Sequence, residues 1–202
     1  MKTRVTARDP TRSHYERNLP HRLPPGALVF ITYRLAGAVP LTVRELWAEE
    51  ERRGLVEPLL QQKRGRFARY DRWLDHDTED LPTWLARPDV QAIVRESLLH
   101  FDGRAYALHN FCIMPNHVHI LLTISETLDK PFFNVLKSQK GFSATAANRL
   151  LGRTGPFWQP ESYDHVVKTP QGAARVRAYI LNNPVRAGLV EEWQHWPGSY
   201  DR

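Results

Sequence analysis

The sequence predicts an α+β domain built on an antiparallel sheet. Three observations carry this reading. Residues 27–35 (ALVFITYRL) are rich in β-branched and aromatic side chains and form a lone strand ahead of a long helical stretch. Residues 104–114 (RAYALHNFCIM) and 117–124 (HVHILLTI) flank Pro115-Asn116 and read as a β-hairpin. Helical patterns separate and follow these strands, giving the order β, helices, β, β, α, short β, α.

Along the chain, residues 1–25 contain Pro10, Pro20, Pro24 and Pro25 and read as an extended basic arm. Residues 26–202 then form one domain with a helical insertion at about 41–100. Gly37 and Pro40 close the first strand. Thr42 can cap a helix that starts near Val43, with Leu46 and Trp47 on its apolar side. A second charged helix covers 57–73. Asp89 caps a third, with Val90, Ile93, Val94, Leu98 and Phe101 at helical spacing. Residues 130–151 form a basic helix with Phe132, Val135, Leu136, Phe142 and Leu150 as packing residues. Residues 157–167 are irregular or extended. Thr169 and Pro170 open a last helix that runs to about Asn183, where Pro184 stops it.

Charge narrows the partners. Among 202 residues, 28 Lys and Arg face 22 Asp and Glu, so the formal charge of +6 points towards a polyanion. The excess is uneven: residues 1–22 carry a net +4, residues 45–80 a net −3 and residues 137–177 a net +5. Nucleic acid is expected against the basic ends. An apolar fraction of 42% excludes wholesale disorder. A single cysteine excludes a disulfide framework and a Cys-rich zinc module. No apolar run approaches the roughly 18 residues of a membrane span. The basic N-terminus lacks the apolar stretch of a secretory signal. The expectation is a cytoplasmic protein with no membrane partner.

Two short motifs carry chemistry. In His117-Val118-His119 the histidines lie two apart on a strand, hence on one face, where paired imidazoles can chelate a divalent metal. Two polar residues on a solvated face are the plainer alternative. Tyr179 and Asn183 lie four apart on the last helix and share a face. Separately they read as a core aromatic and a helix cap. Together with the histidines they suggest a three-ligand open site beside a phenol. Such parts suit a phosphodiester: the metal stabilises transition-state charge, and a tyrosine nucleophile keeps the bond energy in a phosphotyrosine link for rejoining.

Four segments, LPHRLPPGALVFITYRLAG, LHNFCIMPNHVHILL, GPFWQPESYDHVV and YILNNPVRAGLV, resemble the REP-associated tyrosine transposases. These are single-tyrosine members of the HUH endonucleases, in which U is a hydrophobic residue. The resemblance runs from about residue 15 to 200 and is weakest across 45–88. It implies a ferredoxin-like or RRM-like sandwich with the histidine strand near the centre of the sheet. It implies metal ligands His117, His119 and Asn183, with Mg or Mn as the ion, and Tyr179 as nucleophile. Related insertion-sequence transposases often carry Gln at the third-ligand place, so Asn183 fits the REP-associated branch. The implied partner is single-stranded DNA folded into imperfect palindromic hairpins, bound and cut beside the hairpin. Monomer and homodimer are both compatible with the sequence.

Further residues have paired readings. Lys137, Lys140, Arg149 and Arg153, on or just after the basic helix, and Arg175, one turn before Tyr179, are candidate phosphate contacts; a solvated face is the alternative. Ser138, Gln139 and Ser143 can add hydrogen bonds to phosphate. For Arg175 the alternative is a surface ion pair; Arg177 lies two residues before Tyr179 and off its face. Trp158, with Phe157, Gln159 and Tyr163, suits core packing more than base stacking. His109 is a candidate outer partner of the histidine pair, and Cys112 a small buried residue. Glu161, Asp164 and His165 are not assigned as ligands. The leading function is metal-dependent DNA strand transfer. The alternatives are a non-cleaving hairpin DNA- or RNA-binding module of the same fold, and a zinc hydrolase using water. The intact set His117, His119, Tyr179 and Asn183 separates the first from a pure binder.

Overall fold

In the computed structural model, residues 14–16, 20–54, 67–69, 71–75 and 81–202 are described. Within the basic arm, β1 (His14–Glu16) and β2 (Pro20–Arg22) pair antiparallel. The main sheet has five antiparallel-paired strands: β3 (Leu28–Arg34), β4 (Tyr106–Ile113), β5 (His117–Ile124), β6 (Tyr163–Val166) and β7 (Ser199–Asp201), in the order β6-β3-β5-β4-β7. The helices are α1 (Leu41–Arg52), α2 (Pro88–His100), α3 (Phe132–Leu150), α4 (Pro170–Leu181) and the short α5 (Asn183–Arg186). Residues 67–69 and 71–75 are also helical.

The four strands β6-β3-β5-β4 with crossover helices α2 and α3 make the split βαβ arrangement of a ferredoxin-like sandwich. The alternation of β5 divides its side chains between two layers. Val118, Ile120, Leu122 and Ile124 join Val29, Ile31 and Tyr33 of β3 in the main core, with α2 through Val90, Val94 and Leu98 and α3 through Phe132, Val135 and Leu136. On the opposite face Phe30, Cys112, Met114 and Leu121 pack against Ile180, Val176 and Ala173 of α4. The histidines share this second face. No helix among the described residues is long and apolar enough to cross a membrane.

Several local expectations change. α1 begins at Leu41, so Thr42 lies inside the helix, and Leu46 is 63% exposed while Trp47 packs edge-on against Trp73. α2 starts at Pro88, with Asp89 in its first turn rather than at the cap. The helix expected over 57–73 is described only from residue 67. On α3, Phe142 and Leu150 are 53% and 45% exposed. The buried stripe instead runs Phe132, Val135, Leu136, Gln139, Ser143 and Ala147. Two polar residues occupy its centre because each has a buried partner. Gln139 Nε2 donates to the Tyr33 hydroxyl at 3.2 Å, and Trp158 Nε1 donates to Ser143 Oγ at 3.0 Å. Gln139 and Ser143 are therefore committed to the core, as is Trp158. β7 has only three residues, Ser-Tyr-Asp, too few for an alternation to register.

Candidate active site

The Pro115-Asn116 turn fixes the first histidine. Asn116 is buried; its Nδ2 donates to the Leu74 carbonyl at 3.0 Å, which leaves Oδ1 facing His117 Nδ1 at 2.7 Å. An amide oxygen only accepts, so His117 carries its proton on Nδ1 and presents the Nε2 lone pair. Thr32, opposite His119 in the β3–β5 register, lies 2.7 Å from His119 Nδ1. Its hydroxyl can donate or accept and so serves either tautomer. The two Nε2 atoms face each other at 2.9 Å, with both rings fully buried. Two lone pairs at that separation repel unless a proton or a cation sits between them.

A carboxylate completes the cluster. Asp71, buried and far upstream, places Oδ1 3.2 Å from His119 Nε2. One ligand atom from each of Asp71, His117 and His119 lies within 4.8 Å of the others. Tyr179 on α4 donates its hydroxyl to Asp71 Oδ2, and its ring centroid is 5.4 Å from that of His119. Phe30 and Phe67 flank the phenol, with centroids 5.9 and 6.1 Å from the Tyr179 ring. Phe67 also stacks on Tyr163 at 4.2 Å. Arg186 lies 5.2 Å over the Tyr179 ring and 3.5 Å from Asp75 Oδ2.

α4 brings Tyr179 here because Thr169 caps it, accepting from Gly172 N at 3.0 Å, and Pro170 fits its first turn. The helix ends at Leu181, two residues short of the sequence expectation. Asn183 opens α5. Its side chain is fully buried, and neither amide atom has a hydrogen-bond partner among the described residues. An orphaned buried amide costs roughly 1–3 kcal/mol, which a ligand can relieve. Two imidazoles and a carboxylate are a donor set that fits a divalent ion.

The electrostatics suit a cation. Burial and the neighbouring His119 push the His117 imidazole down to about 3, keeping it neutral as a metal ligand must be. Burial alone would raise Asp71, but His119, His117 and the Tyr179 hydroxyl hold its carboxyl well below the usual range. Burial and the Asp71 charge raise the Tyr179 phenol, keeping it protonated.

The sequence-selected residues separate into groups. His117, His119 and Tyr179 come together. The basic helix does not join them, since α3 packs on the other face of the sheet. Lys137 and Arg149 are exposed there. Lys140 Nζ donates to the carbonyls of Gln159 and Pro160 at 2.9 and 3.3 Å. Arg153 bonds Asn148 and the Pro156 carbonyl and lies 3.8 Å over the Trp84 ring. These two cations hold the 155–160 segment. Arg175 is exposed on α4, on the side of the histidines. Arg177 pairs with Asp201. His109 bonds Thr123 Oγ1 at 2.8 Å, beside the β4 bulge, and does not support the histidine pair. Asp71 has no signature in the sequence. It is one of ten acids within 45–80, and nothing local marks it out.

No family model matches the chain. It is 31% identical over 119 residues to a Haemophilus influenzae protein assigned to the REP-associated tyrosine transposases, covering 55% of this chain and 66% of that one. It is 24% identical over 96 residues to an Escherichia coli REP-associated tyrosine transposase, covering 48% and 54%. The matches thus span just under two thirds and about half of these relatives' own lengths. The solved structure of a REP-associated tyrosine transposase bound to a REP hairpin shares the fold. Its TM-score is 0.54 at 17% identity, over 92% of this chain and 80% of that chain.

Proposed function

The chain is a relative of the REP-associated tyrosine transposases, and from that premise we propose a metal-dependent single-stranded DNA endonuclease and strand transferase that acts beside palindromic hairpins. The observation that carries the reading is the convergence of His117, His119 and the Tyr179 hydroxyl on one buried carboxylate. A non-cleaving binder has no use for a phenol aimed at a chelating pair.

In this reading His117, His119 and Asn183 would hold Mg or Mn, which would supply Lewis-acid polarisation of the scissile phosphate. Tyr179 contributes the nucleophile. Its oxygen forms a bond to phosphorus as the bond from phosphorus to the 3′ oxygen of the preceding nucleotide breaks. The phenolic proton is released, and the departing 3′ oxygen takes up a proton. A 5′-phosphotyrosine remains, and a second 3′ hydroxyl can resolve it by the reverse step. Phe30 and Phe67 limit water around the phenol, which favours transfer over hydrolysis. Arg175 lies on the histidine side as a phosphate contact, while Lys137 and Arg149 offer contacts to DNA that passes round to the α3 face.

The test is cleavage of an end-labelled single-stranded hairpin oligonucleotide in Mn²⁺. Cutting beside the hairpin is expected, with loss on chelation and in His117→Ala and His119→Ala. Cutting that survives both histidine substitutions contradicts the assignment.

A further inference from the structure

Resting on the reading of His117 and His119 as metal ligands, we infer that Asp71 is a bridging ligand. One carboxylate oxygen closes the metal's coordination set while the other aims the Tyr179 hydroxyl. The helical segment 71–75 is thereby a working part of the site.

The geometry assigns each oxygen a different task. Oδ1 lies 3.2 Å from His119 Nε2, and Asp71, His117 and His119 each offer a ligand atom within 4.8 Å of the others. Oδ2 accepts the Tyr179 hydroxyl. The oxygen not used by the phenol is turned towards His119 Nε2, the atom that would face the ion. Asp71 is 3% exposed, and a carboxylate removed from water is destabilising unless a cation compensates it. Its cationic neighbour Arg186 is shared with Asp75, which it faces at 3.5 Å. A divalent ion held by His117 and His119 would supply further compensating charge. Adding a carboxylate also shifts the donor set towards oxygen, which suits Mn or Mg over Zn.

The segment is tied down around this point. Asn116, which orients His117, donates to the Leu74 carbonyl at 3.0 Å, and Asp75 faces Arg186 at 3.5 Å. Leu74 itself is buried. These anchors seat Asp71 on the histidines, so ion binding and docking of 71–75 reinforce one another.

Mn²⁺ binding to the full chain, followed by calorimetry and by the electron paramagnetic resonance of free Mn²⁺, tests this. Hydrogen exchange at residues 71–75 is read in parallel. The expected result is at least tenfold weaker binding in Asp71→Ala, and slowing of exchange by Mn²⁺ in the native chain but not in the variant. Asp71→Asn keeps an acceptor for Tyr179 at the same size. It should fold as the native chain does and still bind Mn²⁺ more weakly. Native affinity in both Asp71 variants, with binding lost in His119→Ala, overturns the bridging role and leaves the metal site standing. No Mn²⁺ binding by the native chain overturns both.

Discussion

The Tyr179 hydroxyl donates a hydrogen bond to Asp71 Oδ2 across 108 positions of the chain, and the other oxygen of that carboxylate faces His119. The phenol is thus held neutral and aimed at the histidine pair by a residue from the acidic, helical part of the sequence. This hydrogen bond makes the site a composite of sheet, α4 and inserted segment.

Tyr179→Phe keeps the ring that packs against Phe30 and Phe67. It removes one hydrogen bond to a charged group, about 1.5–3 kcal/mol. Thermal unfolding should move down modestly, Mn²⁺ should still bind, and hairpin cleavage should disappear. Cleavage at the native rate would place the nucleophile elsewhere.

Exposed cations should govern the salt dependence of DNA binding. Replacing Lys137, Arg149 and Arg175 together by Ala should weaken hairpin binding and flatten the salt slope by about 0.7–0.9 for each phosphate no longer neutralised. Lys140→Ala and Arg153→Ala should instead lower the melting temperature, because those side chains hold the 155–160 segment. Titrations at several salt concentrations, beside melting curves, separate the two groups.

Gly198 lies where a side chain cannot fit. A Cβ there would overlap the Ile113 carbonyl and come within 2.6 Å of Trp196 Nε1 and 2.8 Å of Gln91 Nε2. Gly198→Ala should destabilise the fold by about 1–3 kcal/mol through overpacking of the β4–β7 edge. Chemical denaturation measures this, and unchanged stability would contradict the packing.

Cys112 lies buried between the sheet and α4, and burial pushes its thiol up to about 12. The native protein should resist alkylation at pH 8, whereas the denatured chain should be modified within the same time. Rapid labelling of the native protein would show that β4 opens.

The central strands are legible in the sequence because their chemistry alternates. In β5 the apolar set Val118, Ile120 and Leu122 and the polar pair His117 and His119 fall on opposite faces, as the spacing predicts. Tyr179 follows from helical spacing and the family motif. Asp71 does not, because a carboxylate's importance here comes from a fold-level meeting with β5 and α4. The positive charge of α3 carries a different kind of information. Counting Lys and Arg reveals how basic a helix is, while the side of the sheet it covers is set by Val135, Leu136 and their partners in the main core. Lys140 and Arg153 then find local carbonyl and aromatic partners that no charge count contains.

The most direct measurement is the intact mass of the protein after incubation with a single-stranded hairpin oligonucleotide and Mn²⁺, followed by peptide mapping. A mass increase equal to the 5′-phosphorylated cleavage product, carried on Tyr179 and absent in Tyr179→Phe, is the predicted result. Hairpin cleavage without any adduct, or an adduct on another residue, would contradict it.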